Sequence, residues 1–104
     1  MSKRLEMLEK ITATDGADSF AWYGLAMEYR KQRRHEEALA AFEKLRSRDP
    51  EYLPMFLMAG QLLLEMQRLD RARDWFSAGV ELARKKGDGK ALSELTSALA
   101  ETES

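Results

Sequence analysis

Apolar residues in this chain recur at helical spacing, and they do so twice in the same order. Trp22, Leu25, Ala26 and Tyr29 fall on one face of a helix, and Ala38, Phe42 and Leu45 form a second stripe of the same kind. The polar link between them, Arg30-Lys31-Gln32-Arg33-Arg34, is too short for the second helix to do anything but fold back on the first. This spacing predicts a helical hairpin. Adding 34 to each position carries Trp22 to Phe56, Leu25 to Ala59, Ala26 to Gly60, Tyr29 to Leu63, Ala38 to Ala72 and Phe42 to Phe76. Large residues meet large ones and small meet small. The small pairs have a physical reason, because helices packed within about 8–10 Å need a place where a side chain is missing.

The flanks read as halves of the same unit. Subtracting 34 from Phe42, Leu45 and Asp49 gives Leu8, Ile11 and Asp15, so residues 2–14 read as the second helix of a pair, with Asp15-Gly16 in the place of Asp49-Pro50. At the other end Leu92, Leu95, Thr96 and Leu99 reproduce the spacing of Trp22, Leu25, Ala26 and Tyr29 once two residues are inserted near Gly87-Asp88-Gly89. A terminal helix is predicted over residues 88–100, with Asp88 or a neighbour as its cap. The expected fold class is therefore all-α, about six antiparallel helices in one domain, residues 1–104. Its parts are a half-repeat helix over 2–14, full repeats over 19–52 and 53–86, and a capping helix over 88–100. A lone hairpin cannot bury its apolar face, and the flanking helices supply the third unit that stability requires. Truncating Phe42 or Phe76 to Ala is expected to cost roughly 3–5 kcal/mol against a total of about 5–15 kcal/mol, enough to unfold much of the population.

A 34-residue period with this alternation resembles the tetratricopeptide repeat family. That family's order of Trp, Leu, Gly or Ala, Tyr, Ala, Phe and Pro is met by Trp22, Leu25, Ala26, Tyr29, Ala38, Phe42 and Pro50. Residues 53–86 fit more loosely, with Arg84 where the family has proline, and the intra-repeat turns hold Arg33 and Gln67 where the family usually has glycine. The resemblance implies an α-solenoid whose first helices line a concave groove. Carried over by position, that groove contains Phe20, Tyr23, Met27, Arg30 and Lys31 from one hairpin, and Leu57, Met58, Gln61, Leu64 and Glu65 from the next. Some relatives hold acidic C-terminal tails through a clamp of Lys and Asn. Here Tyr23, Met27, Met58 and Gln61 stand at those places, so a hydrophobic or mixed protein segment is the expected partner. Residues 54–67 are apolar nearly all round, which in a small domain requires contacts on more than one face, with neighbouring helices or with a partner.

Composition narrows the chemistry. The 17 Lys+Arg and 18 Asp+Glu nearly cancel, and they are balanced on both sides of Tyr52, so no whole-domain attraction to nucleic acid or anionic lipid is expected. The basic run at residues 30–34 is diluted by Glu28, Glu36 and Glu37 and suits the negative end of a helix, a solvated turn more than a phosphate footprint. The absence of cysteine excludes disulfides and thiolate metal sites and agrees with a cytoplasmic location, and charges interrupt the first residues too often for a leader or a membrane span. The sole histidine, His35, precedes Glu36-Glu37, but position 39 is Leu, so no zinc motif forms, and His35 reads as a packing residue at a helix start. Glu28, Glu36, Glu37 and Glu43 read as solvated carboxylates, and Trp75 as a packing aromatic near Gly79. No nucleophile elbow, phosphate loop or dinucleotide fingerprint appears. The expected function is a non-enzymatic protein-interaction scaffold without metal or cofactor. The alternative is self-association of two copies, a homodimer included, through apolar faces.

Overall fold

The computed structural model describes residues 2–103, so Met1 and Ser104 of the expected domain lie outside the described residues. The described residues form six helices and no strand, α1 (Lys3–Thr12), α2 (Ser19–Lys31), α3 (His35–Arg48), α4 (Pro54–Glu65), α5 (Leu69–Lys86) and α6 (Gly89–Glu101). They group into two compact units, one ending at Pro50 and the next beginning at Glu51. None of these helices is long and apolar enough to cross a membrane.

In the first unit, caps fix where each helix begins. The Ser2 hydroxyl accepts from the Leu5 amide at 3.2 Å, and the Asp18 carboxylate from the Ala21 amide at 2.8 Å, each satisfying a donor that the first turn leaves open. α2 and α3 pack as the expected hairpin around Leu25, Ala26, Ala38, Leu39, Phe42 and Leu45, all buried. α1 lies on α2, adding Leu5 and Leu8. The far end of α3 is tied back twice. Ser19 Oγ donates to Asp49 at 2.6 Å, and the Arg48 guanidinium donates to the carbonyls of Asp15 and Ala17 at 3.0 Å.

The second unit repeats the plan with different punctuation. α4 starts with Pro54 in its first turn, a position where the missing N–H costs nothing, and Leu53 provides no side-chain cap. α5 outruns α3, 18 residues against 14, because Arg84 offers no break where a proline would; it stops at Gly87, whose φ of 69° gives the left-handed turn that ends many helices. Asp88 then caps α6, accepting from the Ala91 amide at 3.0 Å, as the sequence predicts. The core holds Met55, Phe56, Ala59, Leu62, Leu63, Ala72, Phe76, Ala83 and Leu95. Gly60 exists for Phe76, because a Cβ there would stand inside the ring. Gly79 makes room for Phe56 and Leu95. Trp75 is buried with its ring 5.7 Å from that of Phe56, so it is a core aromatic, and the gap at Gly79 is filled by other side chains.

One expectation fails in the first unit. Glu28 is not a solvated carboxylate but a buried one, 7% exposed, facing Arg4 Nε at 3.5 Å and accepting from Gln32 Nε2 at 3.5 Å. It sits on the α2 face that α1 covers. His35, by contrast, is half-buried at the first position of α3, as expected.

Candidate partner-binding faces

On α2 the buried positions are Gly24, Leu25, Ala26 and Glu28. The expected contacts Phe20, Tyr23, Met27 and Arg30 follow spacings of three, four and three, so one face of the helix carries all four. That face is uneven. Phe20 is 67% exposed, whereas Tyr23, Met27 and Arg30 are half-buried. Tyr23 is held by the core, its ring meeting Phe42 edge-on with centroids 6.4 Å apart. This geometry suits an aromatic pair and fixes the direction in which the phenol points.

On α4 the same registers return as Leu57, Gln61 and Leu64, all half-buried and on one face, while Ala59, Gly60, Leu62 and Leu63 are buried behind them. Met58, also half-buried, is offset by about 100° from Leu57. It shares the register of Gly24, the residue that lies against α1, and so stands apart from the Leu57 stripe. The apolar character of α4 is thus mostly spent inside its own unit, which leaves three partly open side chains on its outer face.

The basic tip at the end of α2 is internally engaged. The Arg34 guanidinium lies 4.8 Å from the centre of the Tyr29 ring and donates to both carboxylate oxygens of Glu37, at 2.7 and 2.5 Å. This fork-shaped pairing raises the pKa of Arg34 and lowers that of Glu37, both through the hydrogen bonds between them. Tyr29 in turn donates from Oη to Glu9 at 2.6 Å, and its pKa is pushed up to about 12, first by burial and then by the hydrogen bond to that carboxylate. Arg34 therefore serves the hairpin turn, and the run does not present a free arginine cluster.

Two features escaped the sequence pattern. One is an open cleft of about 420 Å³ between α1 and α2, floored by Gly24 and rimmed by Arg4, Leu8, Ile11 and Phe20. The other is the buried Glu28, paired with Arg4. The 34-residue register held a signal for both, because Glu28 and Arg4 correspond to Leu62 and Ala38, each 0% exposed. On the opposite side of α2, a second cleft of about 360 Å³ is lined by Trp22, Leu25, Tyr29, Glu37 and Lys44. The indole Nε1 of Trp22 is buried there and meets no acceptor among the described residues. Among the described residues no three His, Asp or Glu side chains come together in a way that could hold a metal ion.

Residues 23–88 match the family model described as tetratricopeptide repeat. No curated protein matches the chain. Among solved structures, a tetratricopeptide repeat domain protein from Salinibacter ruber is 39% identical, with 86% of this chain and 91% of that one covered and a TM-score of 0.79. BPP2914 from Bordetella parapertussis is 22% identical over 99% of this chain and 90% of its own, with a TM-score of 0.83. PcrH from Pseudomonas aeruginosa shares the fold at 17% identity, with 96% of this chain and 76% of that one covered and a TM-score of 0.88. PcrH has also been solved with the chaperone binding regions of PopD and of PopB.

Proposed function

The chain belongs to the tetratricopeptide repeat family, and from that premise we propose that it is a non-enzymatic interaction module whose first helices, α2 in one unit and α4 in the other, each present an outer face to an apolar or mixed segment of a protein partner. The observation that carries this reading is the recurrence of partly open side chains at the same registers of both first helices, Tyr23 with Leu57, Met27 with Gln61 and Arg30 with Leu64. Their neighbours toward the core are closed, so a ligand on these faces meets side chains that the core only partly encloses. Phe20 extends the α2 face.

The chemistry of the face suits an apolar segment. Met27 supplies an unbranched, polarizable side chain that adapts to irregular surfaces, and leucines at helical spacing accept the ridges of a bound helix or the alternate residues of an extended peptide. A clamp for an acidic chain end would need cations where Met27 and Gln61 stand. In PcrH the same fold engages the chaperone binding regions of two partner proteins, which supports a protein as the ligand class.

Fluorescence anisotropy against a panel of apolar helical and extended peptides tests the reading. Replacing Met27 and Leu57 by Glu should weaken every peptide that binds by at least about tenfold, the equivalent of roughly 1.4 kcal/mol, with helicity and melting unchanged. Tyr23 is left alone because its ring belongs to the Phe42 contact. Binding that is unaltered in the double variant removes α2 and α4 as the partner-binding faces.

A further inference from the structure

α1 and α6 carry the two halves of a helix pair that the chain otherwise builds within itself. In the α2–α3 pair, Ala41 and Leu45 of α3 are 4% and 0% exposed. Their counterparts 34 residues earlier, Met7 and Ile11 of α1, are 60% and 42% exposed. α1 thus presents the apolar face of a second helix with its covering partner missing among the described residues.

α6 is a first helix in the same sense. Gly89–Glu101 and Ser19–Lys31 are each 13 residues long and differ by a shift of 70. Asp88 and Asp18 cap them through the same bond, to the amides of Ala91 and Ala21. Leu95 and Leu25 are both buried, yet Thr96 is exposed where Ala26 is fully enclosed. Beside the closed Leu95, the α6 face that corresponds to the one with which α2 covers α3 is therefore partly open, with Leu92 and Leu99 half-buried and Thr96 exposed.

We propose that α6 of one copy seats on the open face of α1 of a second copy, completing across the boundary the pair that α2 and α3 form within one chain. Two arguments select this occupant. The first is continuity with the α2–α3 interface, because α6 has the length, cap and register of the helix that such a face accepts. The second is charge. Antiparallel pairing sets Glu101 and Glu103, at the end of α6, against Lys3 at the start of α1, and Lys90 against Asp15. Lys3 and Lys90 sit in the first turns of their own helices and Glu101 in the last turn of its own, where the dipole disfavours each. Across the boundary they face their opposites. The contact joins two different surfaces, so each added copy brings a new free end of each kind, and association grows with concentration or closes into a ring.

Sedimentation velocity of the full chain over a concentration series tests this. The weight-average mass should rise with concentration and fall with added salt. Met7→Glu with Ile11→Glu on α1, and Thr96→Arg on α6, should each hold the protein at monomer mass. An equimolar mixture of the two variants should form one species of twice the monomer mass, because each keeps the face that the other has lost. Circular dichroism checks that both remain helical. A second pair at exposed positions, Lys3→Glu and Glu103→Lys, should associate better mixed than alone. A wild-type chain that stays monomeric throughout overturns the proposal. So does a Thr96→Arg variant that still self-associates, since that would mean that α1 pairs with α1.

Discussion

Arg33 and Gln67 stand 34 residues apart and share one backbone conformation, a φ of 60° in the turn between paired helices. The same hydrogen bond accompanies each, Arg34 N to Tyr29 O at 2.9 Å and Arg68 N to Leu63 O at 2.8 Å. The turn is thus set by the carbonyl it must satisfy and not by the residue that fills it. For a residue with a Cβ the left-handed region costs about 1–2 kcal/mol, part of which glycine recovers against its greater freedom in the unfolded chain. Arg33→Gly and Gln67→Gly are each expected to raise stability by about 0.5–1 kcal/mol in urea denaturation. Arg33→Val should lower it, because a β-branched side chain fits that region worst.

The three glycines in helix interiors, Gly24, Gly60 and Gly79, separate in the opposite sense. At Gly60 an added Cβ would enter the Phe76 ring, and at Gly79 it would lie 2.7 Å from Cβ of Phe56 and 2.9 Å from Cδ2 of Leu95. Gly60→Ala and Gly79→Ala should each cost at least about 1–3 kcal/mol, the range for overpacking a tight core. At Gly24 the nearest atoms are the ends of two flexible side chains, Leu8 Cδ2 at 3.4 Å and Arg4 at 3.7 Å. Gly24→Ala should therefore gain up to about 1 kcal/mol of helix propensity. Thermal melts of the three variants check this, and the idea fails if all three shift Tm in the same direction.

The register of the hairpins was legible because it is written in size. Phe42 and Phe76 are both fully buried at one period's distance, and Gly60 is the gap that Phe76 needs. The turns were legible only as places, since nothing in Arg or Gln announces a positive φ. Glu28 reads as solvated because its charge breaks the apolar stripe, and only its match to Leu62 marks the position as internal. The binding faces were half legible. Periodicity gave which residues lie off the core stripe, but whether each is open depends on what its neighbours cover. That is why Phe20 and Tyr23, three residues apart, differ so much.

Glu28 is also a place where chemistry can be removed at a gain. Its carboxylate is buried, while its cationic partner Arg4 is largely exposed, so the pair recovers little of what desolvating Glu28 costs. Glu28→Leu installs what the next repeat has at Leu62 and should be neutral or stabilising. Arg4→Ala leaves the buried carboxylate with Gln32 alone and should cost about 1–3 kcal/mol. Denaturant midpoints of the two single variants check the contrast. A Glu28→Leu protein less stable than Arg4→Ala would mean that the ion pair is a net contributor.

Tyr29 makes stability depend on alkaline pH. Burial and the bond to Glu9 lift its pKa from 10.0 to about 12, and Arg34 over the ring pulls weakly the other way. A raised pKa means that the folded chain holds the phenol proton more tightly than the unfolded chain. Below about pH 10 both states are protonated and the contribution is complete. As pH rises from there, the unfolded chain ionises first, so folding loses ground until the folded phenol also ionises near pH 12. Tyr29→Phe removes this slope, and at neutral pH costs about 0.5–1.5 kcal/mol for the lost hydrogen bond. Denaturation at a series of pH values should show a steeper alkaline decline in the parent than in the variant, and tyrosinate absorbance should show a late-titrating phenol that Tyr29→Phe removes. Equal slopes would mean that Glu9 does not hold the Tyr29 proton.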